Sequence, residues 1–242
     1  MAVAVKHLSA DGAAEITSKS WSDIIAGTSN TPLKFFVWNV GDRDLTNFVF
    51  DVVQVGTGDG YNYVKWAADT VTLSCPWGFT ATVVGSGGSI PSGTTYYYKI
   101  TGTNAAGETT GSLEVSGTTT VASSSITLAW TALPSATGYK IYRSTTSQSY
   151  GASSLLTTIG SGATVSYLDT GTATSAGTLP SANTTGGASP AYGTPPTLGT
   201  SAITIGTLAK GRQWIYWVGL VVGASVTESG NPRYAQRRFR EA

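Results

Sequence analysis

Apolar side chains in this chain alternate with polar ones or gather in short blocks, and almost nowhere follow the three-and-four spacing of a helix. "PLKFFVWN" (32–39), "NFVFDVVQV" (47–55), "TYYYKITG" (95–102) and "SITLAW" (125–130) are each closed by Gly, Asn, Asp or Pro nearby. A period of two puts successive residues on opposite faces of a pleated strand, so such runs fold as sheets joined by turns. One short stretch, "SKSWSDIIAG", admits a helical turn with Ser20 or Ser22 as its cap.

Strands are expected near 2–8, 12–17, 33–39, 47–55, 61–66 and 70–74, and again near 202–206, 213–222 and 233–240. In "PLKFFVWNVGDRDLTNFVFDVVQV" the turn is supplied by "GDRD" (41–44). Phe48, Phe50, Val52 and Gln54 share a mainly apolar face expected to point inward. Val49, Asp51, Val53 and Val55 share the other, where Asp51 implies partial exposure.

Thirty glycines and long Ser/Thr tracts could mark a disordered linker, but twelve tyrosines and seven tryptophans supply the apolar area of a core. A net charge of +1 gives no steering toward nucleic acid. Cys75 is the one cysteine and His7 the one histidine, which excludes an intrachain disulfide and a zinc cluster. The N-terminus lacks a continuous apolar stretch of signal-peptide type. The longest apolar run, "WIYWVGLVVGASV" (214–226), is short for a membrane-spanning helix. A soluble protein made in the cytoplasm, without membrane insertion or cofactor, is expected.

Composition shifts twice. Between about 77 and 187 the only charged residues are Lys99, Glu108, Glu114, Lys140, Arg143 and Asp169, while Gly, Ser and Thr dominate. The flanks hold several strands, but neither holds enough to bury a core alone. The expected organisation is one sandwich built from 1–76 plus 188–242, with a second inserted as 77–187. Three small domains in series is the rival division.

The inserted part resembles a fibronectin type III-like sandwich. "SITLAWTALPSATGYKIYRST" (125–145) is similar to that family's B and C strands, with Ile126, Leu128 and Trp130 on one face and Tyr139 and Ile141 returning on the next strand. "SLLTTIG" and "VSYLDTG" resemble the strands that follow. "IPSGTTYYYKITGTNAAGE" (90–108) resembles the penultimate strand, with Tyr96, Tyr98, Ile100 and Gly102 as its inward set; "SLEVSGTT" resembles the last. The resemblance implies a tyrosine corner at Tyr96, its hydroxyl bonding backbone just upstream. Family members write these segments in the opposite order, so the module resembles a circular permutant, an arrangement that re-joined loops permit without loss of core contacts. The outer part resembles Ig-like modules in which "NxGDxxLTN" (Asn39, Gly41, Asp42, Leu45, Thr46, Asn47) joins two strands and "LAxG" (Leu208, Ala209, Gly211) comes late. A β-sandwich of another topology remains the alternative to both. The combination looks like accessory proteins of tailed-bacteriophage virions.

Candidate chemistry is sparse. His7 lacks the nucleophile context of a catalytic triad. Cys75 reads as a buried small hydrophobe. The carboxylates of "GDRD" and "GTGDGYN" (56–62) lack calcium-loop spacing and suit turns, although paired acids also serve glycoside hydrolysis. "GSGG" (85–88) lacks the lysine of a phosphate loop. Trp66, Trp77, Trp214 and Trp217 would form a sugar-stacking platform if exposed. Trp214 and Tyr216 share one face of a strand and Ile215 and Trp217 the other, so this strand is either central in a sandwich or covered by a neighbouring subunit. Arg233, Arg237, Arg238 and Arg240 suit a strand edge docking on an acidic neighbour, or a plain solvated face. The expected assembly interface is therefore Trp214, Tyr216, Trp217 and these four arginines.

The resemblance implies a non-enzymatic virion protein, capsid decoration or peripheral tail/baseplate, that forms homo-oligomers, binds other virion proteins and offers its inserted domain to host-surface glycans. A carbohydrate-binding module of a glycan-degrading system is the alternative.

Overall fold

A computed structural model describes residues 5–8, 32–55, 64–69, 72–186, 199–220 and 234–241; for 5–8, 51–55, 64–65, 220 and 234–241 the description is of backbone alone. Among the described residues the chain is all-β. Its strands are β1 (Val5–Leu8), β2 (Leu33–Asn39), β3 (Leu45–Val55), β4 (Val64–Ala68), β5 (Thr80–Val84), β6 (Thr95–Asn104), β7 (Gly107–Glu108), β8 (Val115–Thr118), β9 (Ser125–Ala129), β10 (Gly138–Ser144), β11 (Leu155–Ile159), β12 (Ser166–Asp169), β13 (Ile203–Leu208), β14 (Gln213–Leu220) and β15 (Tyr234–Glu241). The expected strand at 12–17 and the helical turn lie outside the described residues. Thr72 to Ser74 form no strand, contrary to the reading of 70–74.

Contacts gather the chain into two compact units, Met1–Thr72 with Gly187–Ala242, and Leu73–Gly186. In the first, β14 is hydrogen-bonded between β2 and β4, in the order β1-β2-β14-β4, and β3 lies between β13 and β15. Phe50 of β3 packs against Tyr216 of β14 at 4.7 Å and edge-on against Trp66 at 6.0 Å. Phe35, Val37, Leu45, Phe48, Leu208 and Val218 complete this core. Burying one such aromatic side chain contributes roughly 1.5–3 kcal/mol.

Strict alternation would place Leu45 and Phe48 on opposite faces, yet both are buried. A bulge resets the period. Asn47 adopts φ 48°, the pairing between β13 and β3 shifts on either side of Gly206, and Gly206 itself sits at φ 76°. Asn and Gly are the residues that enter this left-handed region at least cost, so the bulge falls where the sequence allows it. Val49, placed by alternation on the more exposed face, is also buried.

The second face of the β2–β14 pair is buried as well. Phe36 and Ile215 pack there beside Trp38, and Lys34, opposite Trp217 in the ladder, is buried with them. The Lys34 ammonium lies 3.4 Å from Asp69 Oδ2 and 5.0 Å from the centre of the Trp217 ring, and donates to Thr72 Oγ1 at 2.7 Å. Trp217 Nε1 donates to the same carboxylate oxygen at 2.8 Å. Burial lowers the Lys34 pKa, and the Asp69 charge opposes that shift.

In the second unit, β10 lies between β11 and β6, with β7 and β8 along the far side of β6. A three-stranded sheet, β12-β9-β5, faces it. Tyr98, Ile100, Tyr139 and Ile141 from the first sheet meet Ile126, Leu128 and Trp130 from the second. Trp130 and Tyr139 touch edge-to-face at 5.3 Å. Of the inner residues expected here, only Tyr96 is not in the core proper: it is half-buried at the margin. Between β7 and β8 the ladder along β6 is kept by side chains. Thr109 Oγ1 accepts from the Gly102 amide and Ser112 Oγ from the Ile100 amide, so both β6 donors stay paired across the interruption.

The two ends of this unit are tied together. The Leu73 amide donates to Thr185 Oγ1, and Asn183 Nδ2 donates to the Leu73 carbonyl. Leu73 is itself part of the unit's core. The division therefore falls before Leu73, not after Pro76 as the composition shift suggested.

Lys34→Met leaves the Asp69 charge buried without its cation. It is expected to destabilise the first unit by about 3–5 kcal/mol, read from denaturant unfolding, and adding Asp69→Asn is expected to recover part of that loss.

Candidate functional site

The six charged residues of Leu73–Gly186 are held in opposite-sign groups within the unit. Lys140 Nζ lies 2.6 Å from Glu108 Oε2, while Tyr142 and Thr101 hydroxyls donate to Glu108 Oε1 at 2.7 and 2.6 Å. Arg143 Nη1 donates to both Asp169 oxygens at 2.8 Å; Tyr98 hydroxyl and the Gly171 amide fill the remaining positions on that fully buried carboxylate. Burial first, then the Asp169 charge, pushes the Tyr98 phenol far above its ordinary pKa, so it stays a donor.

Glu114 and Lys99 form the third group. Glu114 accepts from Ser147 Oγ at 2.7 Å, the Gln148 amide at 2.8 Å and Tyr150 hydroxyl at 2.7 Å, and Lys99 lies 5.8 Å over the Tyr150 ring. Burial pushes the Glu114 carboxyl up, but these hydrogen bonds and the Lys99 charge outweigh it and hold it below the ordinary range. The loop after β10 is thus fixed by one carboxylate.

A groove of ≈ 500 Å³ opens between that loop and the end of β10. Tyr96 and Arg143 line it, with Thr145, Ser149, Ser153 and Thr174. The Arg143 guanidinium stacks on the Tyr96 ring at 4.3 Å and donates its Nη2 to the Thr172 carbonyl. This corrects one expectation. Tyr96 makes no tyrosine corner, because its ring is turned to Arg143; the tyrosine whose hydroxyl bonds backbone in this unit is Tyr139, which accepts from the Leu133 amide and donates to the Gly162 carbonyl. Sequence reading passed over Arg143 as a groove residue because a lone arginine in a strand carries no motif.

The expected interface residues divide. Tyr216 and Trp217 are buried by this chain, at 0% and 1% exposure, in a central strand. That settles the two-sided apolar pattern in favour of the sandwich interior, since a side chain already covered has no area left for a partner. Trp214 is half-buried, stacked on Tyr216 at 5.1 Å. Arg237, Arg238 and Arg240 lie on β15, opposite Val52, Asp51 and Val49 of β3. Among the described strands β15 is an edge of its sheet. Arg233 lies outside the described residues.

Nor do the tryptophans make an exposed platform. Trp66 and Trp217 are buried, and Trp77 and Trp214 pack against cores. Asp44 accepts from the Lys210 amide at 2.8 Å, a structural use, while Asp42 is exposed in the turn. Asp59 lies outside the described residues, and His7 is described only as backbone, paired with Val37. No cluster of three metal-ligating side chains occurs among the described residues. Comparison of the chain with protein-family models, with curated proteins and with solved structures finds no match.

Cys75 is buried, and burial raises its thiol to about 12 against the smaller effects of a backbone hydrogen bond and Lys99. The native protein is expected to resist alkylation by iodoacetamide at neutral pH and to react once unfolded, as mass spectrometry would show. Glu114→Gln is expected to destabilise by about 1 kcal/mol at neutral pH. Because the folded pKa of Glu114 is depressed, its contribution is present above the unfolded value and lost as pH falls through the folded one. The difference between wild type and variant should therefore shrink on acidification.

Proposed function

We propose that this chain is a structural component of a bacteriophage virion, a capsid decoration protein or a peripheral tail or baseplate protein, and not an enzyme. The discontinuous unit anchors the chain among other virion proteins as a homo-oligomer, and Leu73–Gly186 is the inserted, projecting module. The protein is made in the host cytoplasm and ends in the particle.

The observation that carries this reading is the tie between Leu73 and Asn183–Thr185. A unit whose first and last residues are bonded to each other can be placed in a surface connection of a host sandwich without stretching it. The sheet order also supports the fibronectin type III-like resemblance. The strands likened to B and C, β9 and β10, lie in opposite sheets, and β10 neighbours β6, the strand likened to the penultimate one. The Ig-like resemblance gains support from the meeting of its two motifs, described by Asn39 Nδ2 donating to the Leu208 carbonyl at 2.9 Å.

Mass spectrometry of purified particles is expected to detect the chain, and electron microscopy to place it on their surface. A variant with 73–186 replaced by a short glycine linker should still join the particle, with the outermost density missing. Absence of the chain from purified particles would overturn the proposal.

A further inference from the structure

We propose that the groove beside Tyr96 and Arg143 binds an uncharged saccharide through hydroxyl hydrogen bonds. The inference deepens the projecting role proposed above and rests on it.

Two of the unit's three opposite-charge groups brace this one groove. Arg143, held by Asp169, lines it, and Glu114 with Lys99 holds the loop that carries Ser149 to its wall. Apart from the Lys140–Glu108 pair, the unit's charges are all spent here, so four of its six charged residues serve the shape of a single feature. Its volume falls within the ~300–1,000 Å³ of small-ligand sites.

The chemistry of the lining selects the ligand class. Asp169 neutralises Arg143 at 2.8 Å, so the site offers an anion no uncompensated charge. The guanidinium is still a planar donor, locked by Asp169, Thr172 and the Tyr96 ring, and loses little freedom on binding. Around it the hydroxyls of Thr145, Ser149, Ser153 and Thr174 take no partner among the described residues, and each can both donate and accept. The half-buried Tyr96 ring adds an apolar edge. Neutral donors and acceptors around a small apolar surface match the hydroxyls and C–H faces of a sugar ring.

Gly151, also on the groove, gives a clean test, because a Cβ added there meets nothing within 4 Å. The full chain is titrated with maltose, cellobiose, lactose and diacetylchitobiose, and with sialyllactose as the anionic counterpart, and followed by two-dimensional NMR. At least one neutral sugar is expected to shift the amides of Thr145, Gly151 and Ser153 saturably. Gly151→Phe is expected to weaken that binding tenfold or more at an unchanged melting temperature, and Ser153→Arg, at an exposed position, to do the same should Gly151→Phe disturb the loop. No saturable shift with any neutral sugar, a response to sialyllactose alone, or binding that survives both variants would overturn the inference. Particle location is read separately, so loss of sugar binding with the chain still in the particle refutes this inference alone.

Discussion

β14, from the C-terminal segment, is hydrogen-bonded between β2 and β4 of the N-terminal segment, and the first unit cannot close its sheet until that strand arrives. Bringing distant segments together carries a loop-closure cost that grows only with the logarithm of the intervening length. The tie between Leu73 and Thr185 reduces it further. Two residues 112 apart in sequence become hydrogen-bonded neighbours once the second unit folds. The long intervening segment then behaves as a short connection, and the central strand can find its place. Once folded, the second unit therefore lowers the entropy cost of completing the first.

A buried asparagine holds the two segments of the first unit in register. Asn39 Nδ2 donates to the carbonyls of Arg43 and Leu208, its Oδ1 accepts from the Gly41 amide, and its backbone pairs with Gly211 and Arg212. Asp44 adds a bond to the Lys210 amide. A β-turn near one end of the chain is thereby fastened to a turn near the other, with every polar group of the Asn39 amide satisfied. Burial of an amide is tolerable only on that condition.

This knot also explains what was legible in the sequence. "NxGDxxLTN" and "LAxG" carried little weight as isolated strings, yet Asn39, Gly41, Leu45, Leu208 and Gly211 do the joining or packing at one place. The all-β class and most strand positions follow from alternation, which is a direct record of which face is wet. The alternation rule failed where a second constraint acted. At Asn47 a bulge lets Leu45 join the expected Phe48 and Phe50 in one core. At Lys34 a charged residue was drawn into the interior by a carboxylate thirty-five positions away, a partner that local pattern cannot reveal. The groove was invisible for a related reason: Tyr96 and Arg143 are neighbours only because β6 and β10 pair, and each looks ordinary in its own strand.

The second unit holds its charges in internal ties, and this sets the kind of contact it can make. A surface of hydroxyls and amides with no net charge exerts little long-range attraction, so encounters are not steered and recognition depends on short-range geometry. Geometry is useful only if it is rigid, and rigidity is what the buried pairs provide: a carboxylate with Arg143, Tyr98 and Gly171 around it fixes a strand to the turn beside it, as Glu114 fixes a loop to a strand. Each such contact would be weak alone. In the proposed role many copies stand on one particle, and simultaneous engagement multiplies weak binding without any new contact. A neutral module with a braced groove is therefore a physically coherent part of a multivalent surface, and charge economy and repeated display are two sides of the same requirement.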